Sequence, residues 1–313
     1  MEVGYNLKKF LKIVATTLVF ALIIPSTYGI GYLIGYIQNS QNEESGYKKT
    51  KEFINIMTLN VCSWSFDGKD LETRVLGIEK TVKEQQPDSF GVQEATPFWM
   101  NTLNEKLSDK YSYVGIGSNS GKDYKESDDH EDEFTAIFYL KDKFKVIESG
   151  YFWLSETPKE ISYGWDSAYR RICTWVILEN KYTRTQYVHI NTHFDNASSE
   201  ARKNSIGMIL DKAKEFSNLP VVFTADLNFI EKSMGYKDIT SDVLKDTKVL
   251  AEKTMDSPTF HAGDPNAYQG IVLDYILIND GFKALEYEVV KKRYDYRYIS
   301  DHHAVVARVQ VGY

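Results

Sequence analysis

Cysteine is nearly absent: Cys62 and Cys173 are the only two in 313 residues. That excludes a disulfide-stapled fold, and both lie in apolar, strand-like stretches that favour buried thiols over the single bridge they could form. Histidine is scarce too, six in all, and the histidines and cysteines do not cluster at zinc-ligand spacings, so no zinc site is expected. Basic residues are outnumbered 37 to 44, a net charge of -7. That balance argues against a surface built for long polyanions, although a bound divalent cation reverses the local sign. Internal repeats and extended low-complexity segments are also missing.

Charge is missing altogether between Lys12 and Glu43. Residues 13–37 are mostly Ile, Leu, Val, Ala, Gly, Phe and Tyr, long enough to cross roughly 30 Å of hydrocarbon. Lys8, Lys9 and Lys12 precede this run, which places residues 1–12 in the cytoplasm and the rest of the chain outside, with Lys48, Lys49 and Lys51 diluting the asymmetry. A cleaved signal peptide with its apolar region at 13–24 is the rival reading, but no small-x-small cleavage site stands out. The expectation is a single-pass transmembrane anchor at 13–37, a polar tether at 38–50 and a catalytic domain at 51–313, extracytoplasmic, or secreted if the anchor is removed. Gly31 and Gly35 form a GxxxG, for which packing against lipid is a better explanation than dimerisation.

From Phe53 onward strands and helices alternate. Asp70 reads as the cap of a helix with the stripe Leu71, Val75, Ile78 and Val82, and Thr96 as the cap of a second with Pro97 at its first position. Strands are expected at 53–61, 88–93, 111–116, 134–140, 144–153, 172–178, 185–191, 220–225, 271–278, 285–290 and 304–311, and further helices at 199–216 and within 231–244. So many consecutive strands do not fit a simple doubly wound sheet. They predict an α/β (α+β) fold, a four-layered sandwich of two packed mixed sheets flanked by helices.

Several of these strands stop on a polar residue: Asn60, Glu94, and Asp226 with Asn228, while Asp301-His302 precedes the last strand. Strand ends present such groups at the rim of a sheet, where ligands bind in layered α/β proteins. Asn60, Glu94, Arg171, His193, Asp226, Asn228, Asp274, Asp301 and His302 are dominated by hard oxygen donors, which suit Mg²⁺ or Mn²⁺. Hydrated magnesium held by one or two carboxylates accompanies phosphate substrates, so phosphoester hydrolysis is the implied reaction.

The motifs Leu59-Asn60, Gln93-Glu94, Asn191-Thr192-His193-Phe194-Asp195, Asp226-Leu227-Asn228, Leu273-Asp274-Tyr275-Ile276 and Ser300-Asp301-His302 resemble, in that order, the endonuclease/exonuclease/phosphatase superfamily. Phe152 to Pro158, Gly164-Trp165-Asp166 and Arg171 to Trp175 resemble a mainly bacterial branch near sugar-phosphate phosphatases. The resemblance implies that Glu94 holds the metal with Asn60 and Asp301 completing or supporting its shell, and that Asp226 orients and deprotonates water. It also implies that Asn228 fixes that aspartate and the phosphate, that His302, steered by Asp274, serves the phosphoryl group, and that His193 contacts phosphate on the leaving-group side. Arg171 is expected to clamp a phosphoryl oxygen, with Arg170 an equal contender. Ala225 stands where the family usually has Gly, a change a strand end tolerates.

The acidic stretch 122–133 reads as a hydrated insertion bordering the substrate, and Trp165 as the ring best placed to stack on a sugar or base. His189 and His303 read as structural, and His261 is left open. The expected activity is that of a Mg²⁺-dependent phosphatase or phosphodiesterase on a small phosphorylated molecule such as a sugar phosphate. Alternatives are an endonuclease or exonuclease, a sphingomyelinase-like phosphodiesterase, and a non-catalytic domain that binds a phosphorylated ligand.

Overall fold

Alternating apolar residues on paired strands leave each sheet with two faces to cover, and this chain covers them with a second sheet and with helices. The computed structural model describes residues 51–66, 70–263, 270–294 and 297–312. The anchor and tether expected before residue 51 lie outside them, and among the described residues no helix is long and apolar enough to cross a membrane.

One sheet has seven strands in the order β10 (Lys253–Met255), β12 (Phe282–Val290), β13 (Ala304–Val311), β1 (Glu52–Asn60), β2 (Ser89–Gln93), β4 (Ile137–Leu140) and β3 (Tyr111–Val114). The other has six: β5 (Phe144–Trp153), β6 (Ile172–Asn180), β7 (Gln186–His193), β8 (Val221–Asp226), β11 (Asp274–Ile278) and β9 (Lys245–Asp246). Both are mixed: β1 with β2, β10 with β12 and β7 with β8 are parallel, and the other neighbours, such as β1 and β13, are antiparallel. Ile54, Ile56, Val176, Leu178, Val222, Ile276, Ala307 and Val309 form the core between the sheets. Helices α1 (Leu71–Gln85) and α2 (Pro97–Leu107) bury Val75, Ile78, Trp99 and Leu103 on the first sheet's outer face. Helix α3 (Ser199–Glu215) packs Ile206 and Ile209 on the second. The result is the expected four-layered sandwich.

Capping departs from expectation. The Asp70 side chain makes no bond to the α1 backbone; its carboxylate instead takes the Ser65 hydroxyl and the Phe66 N–H and lies 3.8 Å from Arg74. It is drawn away because Arg74 is buried and donates to the carbonyls of Val61, Cys62, Trp64 and Ile299, so α1 is bolted to the strand end that leads into the site. Thr96 likewise makes no side-chain cap, whereas Ser198 does, accepting from the Ala201 N–H. The helix expected within 231–244 is shorter, α4 (Met234–Thr240), started by the Ser233 cap, and the short α5 (Thr247–Leu250) follows. Cys62 and Cys173 are both buried free thiols.

A polar seam runs through the inter-sheet core. His189 is bonded to the Ser89 hydroxyl and the Thr224 hydroxyl at 2.8 Å each, and Asn191 donates to the carbonyls of Val92 and Ala136. The sheets approach so closely there that a β-carbon on Gly91 would lie 2.3 Å from Asn191 Oδ1. Burial pushes His189 down to about 3, so the folded protein keeps it neutral while the unfolded chain protonates it near 6.5. Below pH 6.5 the unfolded state therefore binds more protons and stability falls, by roughly 2 kcal/mol between pH 6.5 and 5 at about 1.4 kcal/mol per unit. His189→Gln should flatten that part of the Tm-versus-pH curve of the detergent-solubilised chain. An identical slope in wild type and variant would refute the assignment.

Candidate active site

Strand ends at one rim of the sandwich supply the polar cluster. On the second sheet, strand register sets His193 beside Asp226 and Asp226 beside Asp274. On the first, Asn60 ends β1, Glu94 follows β2, and Ser300-Asp301-His302 leads into β13, tied back by the Ser300 hydroxyl bonding the Asn60 carbonyl at 2.7 Å. Glu94 and Asn228 both adopt left-handed backbone, φ 57° and 50°. Asn tolerates that region, but for Glu it is an outlier of the sort that accumulates where a fixed side-chain direction matters.

Asp226 is the hub. Its Oδ1 accepts the Asn228 N–H at 2.9 Å and its Oδ2 accepts the Asn60 amide at 3.0 Å. The same Oδ2 lies 3.6 Å from His193 Nε2 and 3.7 Å from His302 Nε2, between two histidines. Each histidine has a carboxylate behind it. His302 Nδ1 is 2.8 Å from Asp274 Oδ2 and His193 Nδ1 is 2.7 Å from Glu133 Oε1. Burial opposes charge on His302, but Asp274, Asp226 and Asp301 outweigh it and raise its pKa to about 10. On His193 burial and Arg171 also oppose charge, and Glu133 and Asp226 together turn the balance upward. Asn228 Nδ2, 2.9 Å from His193 Nε2 and from the Phe194 carbonyl, fixes the ring from the other side.

Asn60 donates to both Glu94 Oε1 and Asp226, while its own Oδ1 accepts the Cys62 N–H at 2.9 Å. In this arrangement it supports the carboxylates and offers no free oxygen. Glu94 Oε2 takes the Ser63 N–H at 3.0 Å. Glu94 and Asp301 flank Cys62, whose thiol is pushed up by burial first and then by Asp301, with Glu94 adding to it. Both carboxylates are partly open to solvent, and among the described residues neither has an ion-pair partner. Two such hard-oxygen groups converging on one cleft fit a hydrated Mg²⁺ or Mn²⁺. Asp226, Asp274 and His302 also offer ligand atoms within 4.8 Å of one another. There Nδ1 of His302 is engaged by Asp274, so Nε2 is the ring atom that faces Asp226.

Arg171 sits differently from the expected phosphate clamp. It is 5% exposed, and its Nη1 lies 2.9 and 3.0 Å from the two oxygens of Glu133 and 2.7 Å from His193 Nδ1. Nδ1 of His193 thus stands within hydrogen-bond distance of both Glu133 and Arg171, donating to the first in one tautomer and accepting from the second in the other, and in either the guanidinium holds Glu133. Burial opposes ionisation of Glu133, yet Arg171 and His193 hold it at about 2. Arg170 stacks on Tyr163 with its Cζ 4.3 Å from the ring centroid.

Glu133 was hidden in the acidic stretch 122–133, and that stretch is not simply a hydrated loop. Asp132 is fully buried and accepts the Asn119 N–H and the Ser120 and Ser127 hydroxyls. A signal was present: Glu133 immediately precedes an apolar run, the rule that exposed the other rim residues, applied to a strand's entrance instead of its exit. Trp165 is half-buried in a loop where its carbonyl accepts the Ser198 hydroxyl at 2.7 Å. His303 and His261 stack with centroids 4.3 Å apart, one step from His302.

A two-sheet sandwich whose rim sets a carboxylate between two carboxylate-backed histidines, next to open acidic ligands, defines a phosphoester hydrolase. The chain belongs to the Endonuclease/Exonuclease/phosphatase family, whose model matches residues 57–302. An endonuclease/exonuclease/phosphatase family protein from Bacteroides thetaiotaomicron is similar at 29% identity and TM-score 0.78, covering 84% of this chain and 99% of that one. The mannosyl-6-phosphatase of Bacteroides thetaiotaomicron VPI-5482 is 30% identical with TM-score 0.76 over 82% of this chain and 99% of its own. A family protein from Bacteroides vulgatus is 27% identical with TM-score 0.76, over 83% and 99%. Among curated proteins none matches the chain.

Proposed function

We propose that the protein hydrolyses the phosphomonoester of a small phosphorylated molecule, with a sugar phosphate as its substrate class. The observation that carries the reaction is Asp226 Oδ2 standing 3.6 and 3.7 Å from two carboxylate-backed histidines. Asp226 orients the attacking water and takes its proton. His302, aligned by Asp274, donates to a phosphoryl oxygen as charge builds on it, and Asn228 and His193 steady the phosphate on the leaving-group side. Glu94 and Asp301, with Asn60 supporting them, would hold Mg²⁺. When bound it supplies Lewis-acid stabilisation of the phosphoryl oxygens.

The sugar reading is supported by the 30% identity to a mannosyl-6-phosphatase over 82% of the chain, and by a net charge of -7 that suits no long polyanion. We also propose residues 13–37 as a membrane anchor that leaves the catalytic domain outside the cytoplasm. Resistance of the chain to alkaline extraction from membranes checks it, and full release into the wash refutes it.

The test is a panel of hexose 6-phosphates, plasmid DNA, RNA and sphingomyelin presented to the full chain in detergent. Inorganic phosphate should be released from a hexose phosphate, should stop on chelation with EDTA, and should return with excess Mg²⁺. Nuclease turnover without release from any monoester would refute the substrate class, and undiminished release in EDTA would refute the metal.

A further inference from the structure

The loop between β5 and β6 carries an exposed aromatic rim that the chemistry above leaves unused. Tyr169 is 56% exposed and Tyr163 52% exposed. Leaving a large ring half in water on a loop gains nothing for folding, yet this loop is firmly set. Asp195 Oδ2 accepts the backbone N–H of Ala168 at 3.0 Å and of Tyr169 at 3.2 Å, while its Oδ1 accepts those of Ala197 and Ser198. Tyr169 is thus fixed to the chain that leaves β7 just past His193.

Its ring is also close to the reacting centre. The Arg171 Cζ lies 5.1 Å from the Tyr169 centroid, Arg171 Nη1 lies 2.7 Å from His193 Nδ1, and His193 Nε2 lies 3.6 Å from Asp226. The neighbouring Arg170 stacks on Tyr163 and puts Nη1 3.5 Å from Asn119 Oδ1, while its Nη2 has no hydrogen-bond partner among the described residues. A pre-set aromatic face next to an unspent donor matches the needs of a sugar ring, whose C–H face packs on an aromatic and whose hydroxyls accept at its edge.

We propose that Tyr169, with Arg170 beside it, forms the subsite that receives the sugar ring of a hexose phosphate whose phosphate lies at Asp226. This rests on the sugar-phosphatase reading and adds to it the residues that select the sugar. Trp64, 54% exposed beyond the Ser63 that holds Glu94, is the rival ring on the Glu94 side of the site. It stands edge-on to Phe66.

The experiment is calorimetry on the full chain in detergent with Mg²⁺, in an Asp226→Asn background that prevents turnover, with mannose 6-phosphate and inorganic phosphate as probes. Mannose 6-phosphate should bind more tightly than inorganic phosphate. Tyr169→Ala should weaken mannose 6-phosphate about five- to tenfold, the size of one lost ring contact, and leave inorganic phosphate unchanged. Tyr169→Phe, which keeps the ring, should restore the affinity. Equal affinity for the two probes, an equal loss for both in Tyr169→Ala, or a selective loss in Trp64→Ala with none in Tyr169→Ala would each overturn the subsite. So would a loss confined to a nucleoside 5′-monophosphate. Hydrolysis by the wild type is read separately, so a wrong reaction and a wrong subsite give different results.

Discussion

Asp226→Asn is expected to lower kcat by about three orders of magnitude, within the range ascribed to a positioned general base, while the melting temperature stays within a few degrees of wild type. The amide keeps the volume of the carboxylate, so the 1%-exposed position leaves no cavity. One acceptor is lost, because Oδ1 and Oδ2 receive donors from Asn228 and Asn60 and an amide can satisfy only one of them as an oxygen. Against that, Asn60 joins Asp226 to Glu94, and Asp274 lies in register with Asp226, so the wild-type rim concentrates negative charge in a dry place. Removing one charge relieves that repulsion but also withdraws a favourable partner from the His193 and His302 rings, so the two effects offset. Such sites are held at a cost in stability, and neutralising one member commonly gives some of it back. Steady-state phosphate release and thermal melting in EDTA read the two halves separately. A loss of activity under tenfold would remove Asp226 from its role, and a collapse in Tm would make it structural.

The sandwich was legible because its signals are local. Apolar runs of β-strand length, such as Val221-Val222-Phe223-Thr224-Ala225, bury on both faces, and α3 announces itself by the spacing of Ile206, Ile209 and Ala213 with Ser198 as its cap. The rim residues at strand exits were legible for the same reason: a polar residue that interrupts an apolar strand lands where the sheet ends. Partnerships were harder to see. From sequence Arg171 reads as a clamp on a phosphoryl oxygen, yet what it meets depends on the bridges Ala95 to Phe134 and Gly117 to Phe134, which bring the residue before Phe134 to the site. Such contacts between segments distant in sequence leave no periodic trace. Asp70 misled in the opposite way: its position before α1 is right for a cap, but the buried Arg74 and the Ser65 turn compete for the same carboxylate and win.

Glu133 therefore carries the other large prediction. Glu133→Gln keeps shape and removes charge, leaving Arg171, 5% exposed, with only Asp195 at 3.8 Å to balance it. Breaking a buried pair from one side costs about 3–5 kcal/mol, and because Glu133 is 19% exposed and Asp195 remains, about 2–3 kcal/mol is expected. The same change acts on chemistry. With Glu133 gone, burial and the Arg171 charge both disfavour the His193 imidazolium and only Asp226 still favours it, so its pKa falls. Protonated His193 is then lost at lower pH: the alkaline limb of kcat/KM should move to lower pH, and activity above the limb should fall about tenfold for each unit by which it moves. The double variant Glu133→Gln with Arg171→Met separates the two effects. Removing the orphaned charge should recover most of the lost stability, since an apolar side chain of similar reach packs where the guanidinium lay, and it should bring the alkaline limb part of the way back, because the Arg171 charge no longer opposes the His193 imidazolium. Wild-type activity at every pH together with wild-type Tm would mean that the bond from His193 to Glu133 contributes nothing of its own. An unmoved pH profile in the single variant would mean that the carboxylate does not tune His193 at all.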